Sequence, residues 1–251
     1  MPEGDTVHRA AERLRSLVGQ RLTVEAMHPR ALATGVAPWV DGRCLEAVEA
    51  HGKNLVLRFE GGRVLRSHLG MTGSWRTMTA EAPVRGTPWL VLTGETTKAV
   101  LRGGAVLELS ARRLSALGPD ILAPELDRET IVANLRRVGR THTISEALLD
   151  QRVVAGIGNI WRSESLWHAR VSPWSWPADL QQEKLLAILT SAAALMGGAR
   201  DGRRPRHEVY RRTGRPCRRC GSRIASARQG DAARAVYWCH VCQQGKEPAG
   251  A

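Results

Sequence analysis

A chain of 251 residues is long enough for one large domain or two smaller ones, each with its own core. Its composition is that of a folded soluble chain, and no apolar run of about 18 residues or leader peptide interrupts it, which excludes wholesale disorder and a membrane span. With no such run or leader the cytoplasm is the expected compartment, and the formal charge of +13 with a pI near 10.8 favours a polyanionic partner, nucleic acid being the first candidate.

The chain opens with Met1-Pro2-Glu3-Gly4-Asp5-Thr6. Proline in second place allows Met1 to be trimmed, which leaves a free secondary amine. An α-amino group has a reference pKa of roughly 7.7–8.0, so part of it is unprotonated near neutrality and can form an iminium with a sugar aldehyde carbon. Glu3 supplies a carboxyl group beside it for proton transfer. Alone, the pair reads better as a common second residue followed by a solvated acid. From Thr6 to Val18, Val7, Ala10, Ala11, Leu14 and Leu17 recur at helical spacing, and Gly19 provides the stop.

Residues 20–117 then break into short strand-like runs at 22–27, 44–51, 54–59, 63–68, 89–93, 99–101 and 106–108. With Gly61-Gly62 and Gly103-Gly104 as punctuation, they predict an antiparallel sandwich or barrel. Residues 77–87 read as an exposed loop, and Cys44 as a small buried residue. His51-Gly52-Lys53-Asn54 is a turn that projects Lys53 as a point charge; alone, it is a hairpin with an exposed lysine. Met71, in His68-Leu69-Gly70-Met71-Thr72-Gly73, is of a type that is usually core, but on a basic face it could wedge between bases.

Pro119 and Pro124 mark a connector. Asp127 or Arg128 then opens an amphipathic helix with Ile131, Leu135 and Val138 on one face. A second helix over 145–151 takes Ser145 as its cap. Gly156-Ile157-Gly158-Asn159 allows a tight turn whose N–H groups can hold a phosphate at a helix N-terminus, although a bland connector reads better. Helices over 160–169 and 181–196 follow. The Gly- and Arg-rich stretch 197–207 is expected to be mobile, and it begins an arginine crowd that includes Arg200, Arg203, Arg204, Arg206, Arg211 and Arg212.

Cys217-x2-Cys220, 18 further residues and Cys239-x2-Cys242 form a four-thiolate zinc pattern. Zinc replaces the core that so small a piece cannot build. Four protein ligands leave no open position, so one structural ion is expected, without a catalytic role. Arg234 lies in the distal arm of the intervening hairpin, where it could reach a phosphate or simply be solvated.

Pro2-Glu3-Gly4, His51-Gly52-Lys53, His68-Leu69-Gly70-Met71, Leu148-Leu149-Asp150-Gln151, Gly156–Asn159 and the four-cysteine ribbon, in that order, resemble the formamidopyrimidine-DNA glycosylase and endonuclease VIII family. The resemblance covers nearly the whole chain. It implies an α+β fold: an N-terminal helix with an antiparallel β-sandwich (1–118), a helix–two-turn–helix domain (125–205) and a zinc ribbon (208–246). It implies a monomer that binds damaged double-stranded DNA, excises oxidised bases and then cleaves the backbone by β,δ-elimination. Carried over, Pro2 resembles the nucleophile at C1′ and Glu3 the proton donor, while Lys53, Asn159 and Arg234 resemble the residues gripping flanking phosphates. Glu164 matches a further carboxylate near the family's site.

Ser110-Ala111-Arg112-Arg113-Leu114 resembles the family's intercalation loop, with Arg112 facing the widowed base and Leu114 where an aromatic wedge stands in other members. Asp5-Thr6 replace the Pro-Glu of many members. Pro2-Glu3-Gly4 and Tyr237-Trp238 look closer to the endonuclease VIII branch, and Met71 to the formamidopyrimidine branch. Oxidised pyrimidines are the favoured substrate. The alternatives are formamidopyrimidines with 8-oxoguanine, and a non-catalytic zinc-ribbon protein that only holds DNA.

Overall fold

The computed structural model describes residues 2–103, 106–110, 112–203, 206–246 and 248; Met1, Gly104, Ala111 and Arg204 lie outside them. The chain divides into two compact units, Met1–Ala116 and Leu117–Ala251.

In the first unit, helix α1 (Gly4–Leu14) starts earlier than the sequence periodicity suggests, with Glu3 as its N-cap residue. Its Val7, Ala10, Ala11 and Leu14 are buried, and a fully buried Val or Leu side chain contributes about 1.5–3 kcal/mol. The strands are β1 (Arg21–Glu25), β2 (Arg43–His51), β3 (Asn54–Phe59), β4 (Arg63–His68), β5 (Ser74–Thr79), β6 (Leu90–Thr93), β7 (Thr97–Arg102) and β8 (Val106–Glu108). They join in the order β5-β7-β6-β1-β2-β3-β4-β8, every neighbouring pair antiparallel. Helix α1 packs against β2 and β3 from one wing and β5 from the other, so the sheet closes over it as a sandwich.

Two expectations for this unit change. Residues 74–79 form β5, paired residue for residue with β7, where the sequence suggested that an exposed loop begins at Thr77. Only Trp75 turns fully inward on β5, so its alternation was too weak to read. Two short helices, α2 (Pro29–Leu32) and α3 (Val36–Val40), fill the β1–β2 connection; four and five residues are too few to show a helical period.

The second unit holds α4 (Arg128–Val138), α5 (Ile144–Ala147), α6 (Asn159–His168) and α7 (Gln182–Arg200), then a hairpin of β9 (Ala225–Gln229) and β10 (Arg234–Trp238). Asp127 caps α4, its carboxylate accepting from the Thr130 N–H at 2.9 Å. Thr143, not Ser145, caps α5, in a reciprocal capping box with Glu146. Helix α7 runs through Gly197 and Gly198 to Arg200, so the start of the stretch expected to be mobile is helical. Propensity lost to packing there: Met196 and Ala199 are both buried in the helical core.

Candidate active site

Turn chemistry places the first unit's charged and exposed groups. His51 pairs with Asn54, leaving Gly52-Lys53 as the turn between β2 and β3. Gly52, at φ 57°, takes the first central position, where a type II′ turn needs glycine. Asn54 in turn pairs with His68 at the end of β4. Behind this corner, buried Arg66 bonds the Asn54 side chain and meets Glu108 of β8 at 2.8 Å. Burial first, then the charges of Arg66 and Lys53, hold the His68 imidazole below its usual range. The ring's Nδ1 accepts the Gly70 N–H at 3.1 Å.

The loop after β4 closes through Gly73 N–H to Leu69 O at 2.8 Å, so tightly that a Cβ on Gly73 would lie 2.3 Å from that oxygen. Leu69 is thereby buried and Met71 is left 70% exposed. The usual core role for methionine is excluded here. Arg112 begins a short 3-10 turn over Arg112–Ala116 and is exposed, its N–H donating to Ser110 Oγ. Pro2 is half-buried ahead of α1, and Glu3 is only 1% exposed.

In the second unit, α6 is buried from Trp161 to Trp167, polar residues included, so each polar group there needs a partner. Gln151 braces the turn that precedes the helix. Its Nε2 donates to Leu149 O and Ile157 O at 2.9 and 3.1 Å, and its Oε1 accepts from Gly156 N–H at 3.0 Å. Asn159, in the first turn of α6, donates from Nδ2 to Ala235 O at 3.0 Å, directly after Arg234 on β10. Arg162, 0% exposed, bonds Asn159 Oδ1 and reaches the same Ala235 carbonyl at 3.0 Å. Asn159 and the backbone carrying Arg234 are thus brought together, with Arg162 as the clamp.

Glu164 has another task. Its carboxylate accepts three consecutive backbone N–H groups, of Glu208, Val209 and Tyr210, at 2.8, 3.1 and 2.8 Å. It ties the segment leading into the hairpin to α6, and all of these partners lie within the second unit. Arg162 could have been singled out in the sequence as a charge directly after Ile160 and Trp161 on a helical stretch.

The four cysteines converge: all four Sγ atoms lie within 4.8 Å of one another. Zn–S bonds of about 2.3 Å arranged tetrahedrally space sulfurs about 3.8 Å apart. Cys217 and Cys242 are 3.9 Å apart and Cys220 and Cys239 3.5 Å, so the donor set fits that ion. The N–H groups of Arg219 and Cys242 point at Cys217 and Cys239 sulfurs, at 3.5 and 3.4 Å. The Ser222 hydroxyl and N–H bring the Cys220 thiol down to about 6, whereas burial pushes Cys242 up to about 12. A divalent cation would relieve that crowding of thiolates. Gln243 anchors the second knuckle, its Nε2 donating to Val171 O at 2.9 Å and its Oε1 accepting from Cys239 N–H at 2.9 Å.

The chain thus carries a sheet closed over an N-terminal helix, a helical unit with a Gly-turn before a buried helix, and a hairpin that bears an arginine and brings four cysteines together. A profile described as the formamidopyrimidine-DNA glycosylase N-terminal domain matches residues 1–115, and one described as the H2TH domain of the same enzymes matches 117–203. A probable endonuclease 8 2 of Streptomyces coelicolor is 37% identical, the match covering 99% of this chain and 96% of that one. The DNA-(apurinic or apyrimidinic site) lyase Nei2 of Mycolicibacterium smegmatis is 34% identical over 97% of this chain and 99% of its own. Among solved structures, the Lactococcus lactis Fpg in complex with DNA containing an oxidised pyrimidine superposes with a TM-score of 0.84 at 26% identity, covering 97% of this chain and all of that one. The chain belongs to the formamidopyrimidine-DNA glycosylase family and is an enzyme of that class.

Proposed function

We propose that the chain is a bifunctional DNA glycosylase and apurinic/apyrimidinic-site lyase of base excision repair, acting on oxidised bases, pyrimidines foremost, in duplex DNA. The observation that carries this reading is the head of α1, where Glu3 is buried beside a half-buried Pro2 in a chain whose relatives are named endonuclease 8 and apurinic-site lyase. The preference for pyrimidines draws on the endonuclease 8 names, and on the oxidised-pyrimidine DNA in a Lactococcus lactis Fpg complex. A second reading, for formamidopyrimidines, is supported by exposed Met71 and by the N7-benzyl-Fapy-dG DNA bound in another complex of that Lactococcus lactis protein.

Extruding the damaged nucleotide costs a few kcal/mol, least for a damaged base. Met71 fills the stack, and Lys53, Asn159 and Arg234 hold the flanking phosphates, with Arg112 at the widowed base. The Pro2 nitrogen, freed by removal of Met1, attacks C1′ while the base leaves with a proton from Glu3. The opened sugar carries an iminium that acidifies the C2′–H. Loss of that proton expels the 3′ phosphate, and a second elimination expels the 5′ phosphate. Zinc on Cys217, Cys220, Cys239 and Cys242 supplies structure alone, holding the hairpin from which Arg234 projects.

Borohydride reduction should trap a covalent adduct with DNA carrying an abasic site. Pro2→Gly should diminish the adduct, Glu3→Gln should abolish base excision, and retention of Met1 should silence both. If both substituted proteins keep full activity, the amine mechanism is wrong.

A further inference from the structure

The β9–β10 hairpin is fastened to the α5 capping box by a hydrogen-bond relay. Gln229, the last residue of β9, is 8% exposed, and its Nε2 donates to Thr143 Oγ1 at 2.8 Å. The Thr143 hydroxyl donates its single proton to Glu146 Oε2 at 2.7 Å, and its second acceptor position receives the Glu146 N–H at 3.3 Å. Glu146 Oε2 also takes the Thr143 N–H at 2.9 Å. A hydroxyl offers one donor and two acceptor positions, and here all three are used. With its proton committed to a carboxylate, Thr143 can only accept from Gln229, which fixes the orientation of that amide.

Gln229 stands directly across the ladder from Arg234. On the other strand, Ala235 O is held by Asn159 and Arg162. Each strand of the hairpin therefore has its own attachment to the helices, immediately beside Arg234. The turn between them is tight: Gly230 has φ 69°, Ala233 has φ 45°, and Ala233 N–H bonds Gly230 O at 2.8 Å. A Cβ on Gly230 would lie 3.2 Å from Glu146 Oε1, so the turn rests on the carboxylate of the capping box itself. Arg234, Gln229 and Glu146 share the wall of one cavity of about 460 Å³.

We infer that Gln229 and Thr143 are positioning residues: they set the direction in which Arg234 is presented, so that the arginine meets a phosphate without first ordering its own hairpin. The inference rests on the reading of Arg234 as a phosphate ligand. A flexible arginine pays for its ordering when it binds, whereas one on a hairpin fixed at both strands does not.

The test is a double-mutant cycle on an abasic-site duplex, with binding measured across a salt series. Arg234→Ala should flatten the salt slope by about 0.9, the value for one phosphate. Gln229→Leu, which keeps the bulk and leaves the Thr143–Glu146 cap in place, should flatten it by a comparable amount and lower kcat/KM, with one zinc per chain retained. In the double variant the two effects should not add. Thr143→Ser, which keeps the hydroxyl, should behave as the wild type. Additive losses, or an unaltered slope in Gln229→Leu beside a flattened one in Arg234→Ala, would overturn the positioning role. An unaltered slope in Arg234→Ala itself would instead remove the phosphate reading on which it depends.

Discussion

At the scale of single residues, exposure separates binding from stability. Met71 is mostly in solvent, so Met71→Ala should leave the unfolding free energy from chemical denaturation within about 0.5 kcal/mol of wild type while weakening lesion binding. Equal losses in both measurements would show that Met71 is a packing residue. Glu164 is the opposite case. Removing its buried carboxylate strands three N–H donors, so Glu164→Ala should destabilise by about 3 kcal/mol or more, seen as a lowered melting temperature. His68 adds a pH dependence. Burial, Arg66 and Lys53 keep its folded pKa below 6.5, so the unfolded chain takes up the proton first. Stability should fall as pH drops through about 6.5 and level off below the folded value. Lys53→Ala should raise the His68 pKa in an NMR titration; an unchanged value would place Lys53 away from the ring.

At the scale of elements, the cysteine hairpin holds together through sulfur and a few docking contacts. Trp167 of α6, Val209 and Ile224 pack around Cys217 and Cys239, a cluster too small to fold alone. Metal analysis should find one zinc per chain. Chelation should unfold the ribbon and abolish DNA binding, while the sandwich around α1, which has its own core, keeps its melting transition. Intact DNA binding after complete zinc removal would show that the hairpin needs no ion. Some of this scale was legible beforehand. The α1 stripe, most strands and the cysteine spacing follow from periods of 3.6 and 2 and from knuckle geometry. Helices α2 and α3, strand β5, the Thr143 cap and the extension of α7 did not, because short elements and glycines within a helix are settled by burial against neighbours.

At the scale of the whole molecule, an excess of 13 positive charges should make DNA binding strongly salt-dependent. If Lys53 and Arg234 each neutralise a phosphate, log K against log salt should have a slope of about −1.8 or steeper. A flat dependence would return the arginines to general solubility. Among the described residues no helix is long and apolar enough to cross a membrane.

Sequence order alone identified the family, because six short motifs in fixed succession match its pattern along nearly the whole chain. It could name Lys53, Asn159, Arg234 and the cysteines, since each sits in a local pattern. It could not find Arg162, Glu164, Thr143 or Gln229 as partners of the hairpin. Their roles arise from contacts between residues dozens of positions apart, such as Gln229 with Thr143 and Glu164 with Tyr210. Those contacts exist only once burial has removed water and obliged each polar group to find a protein partner.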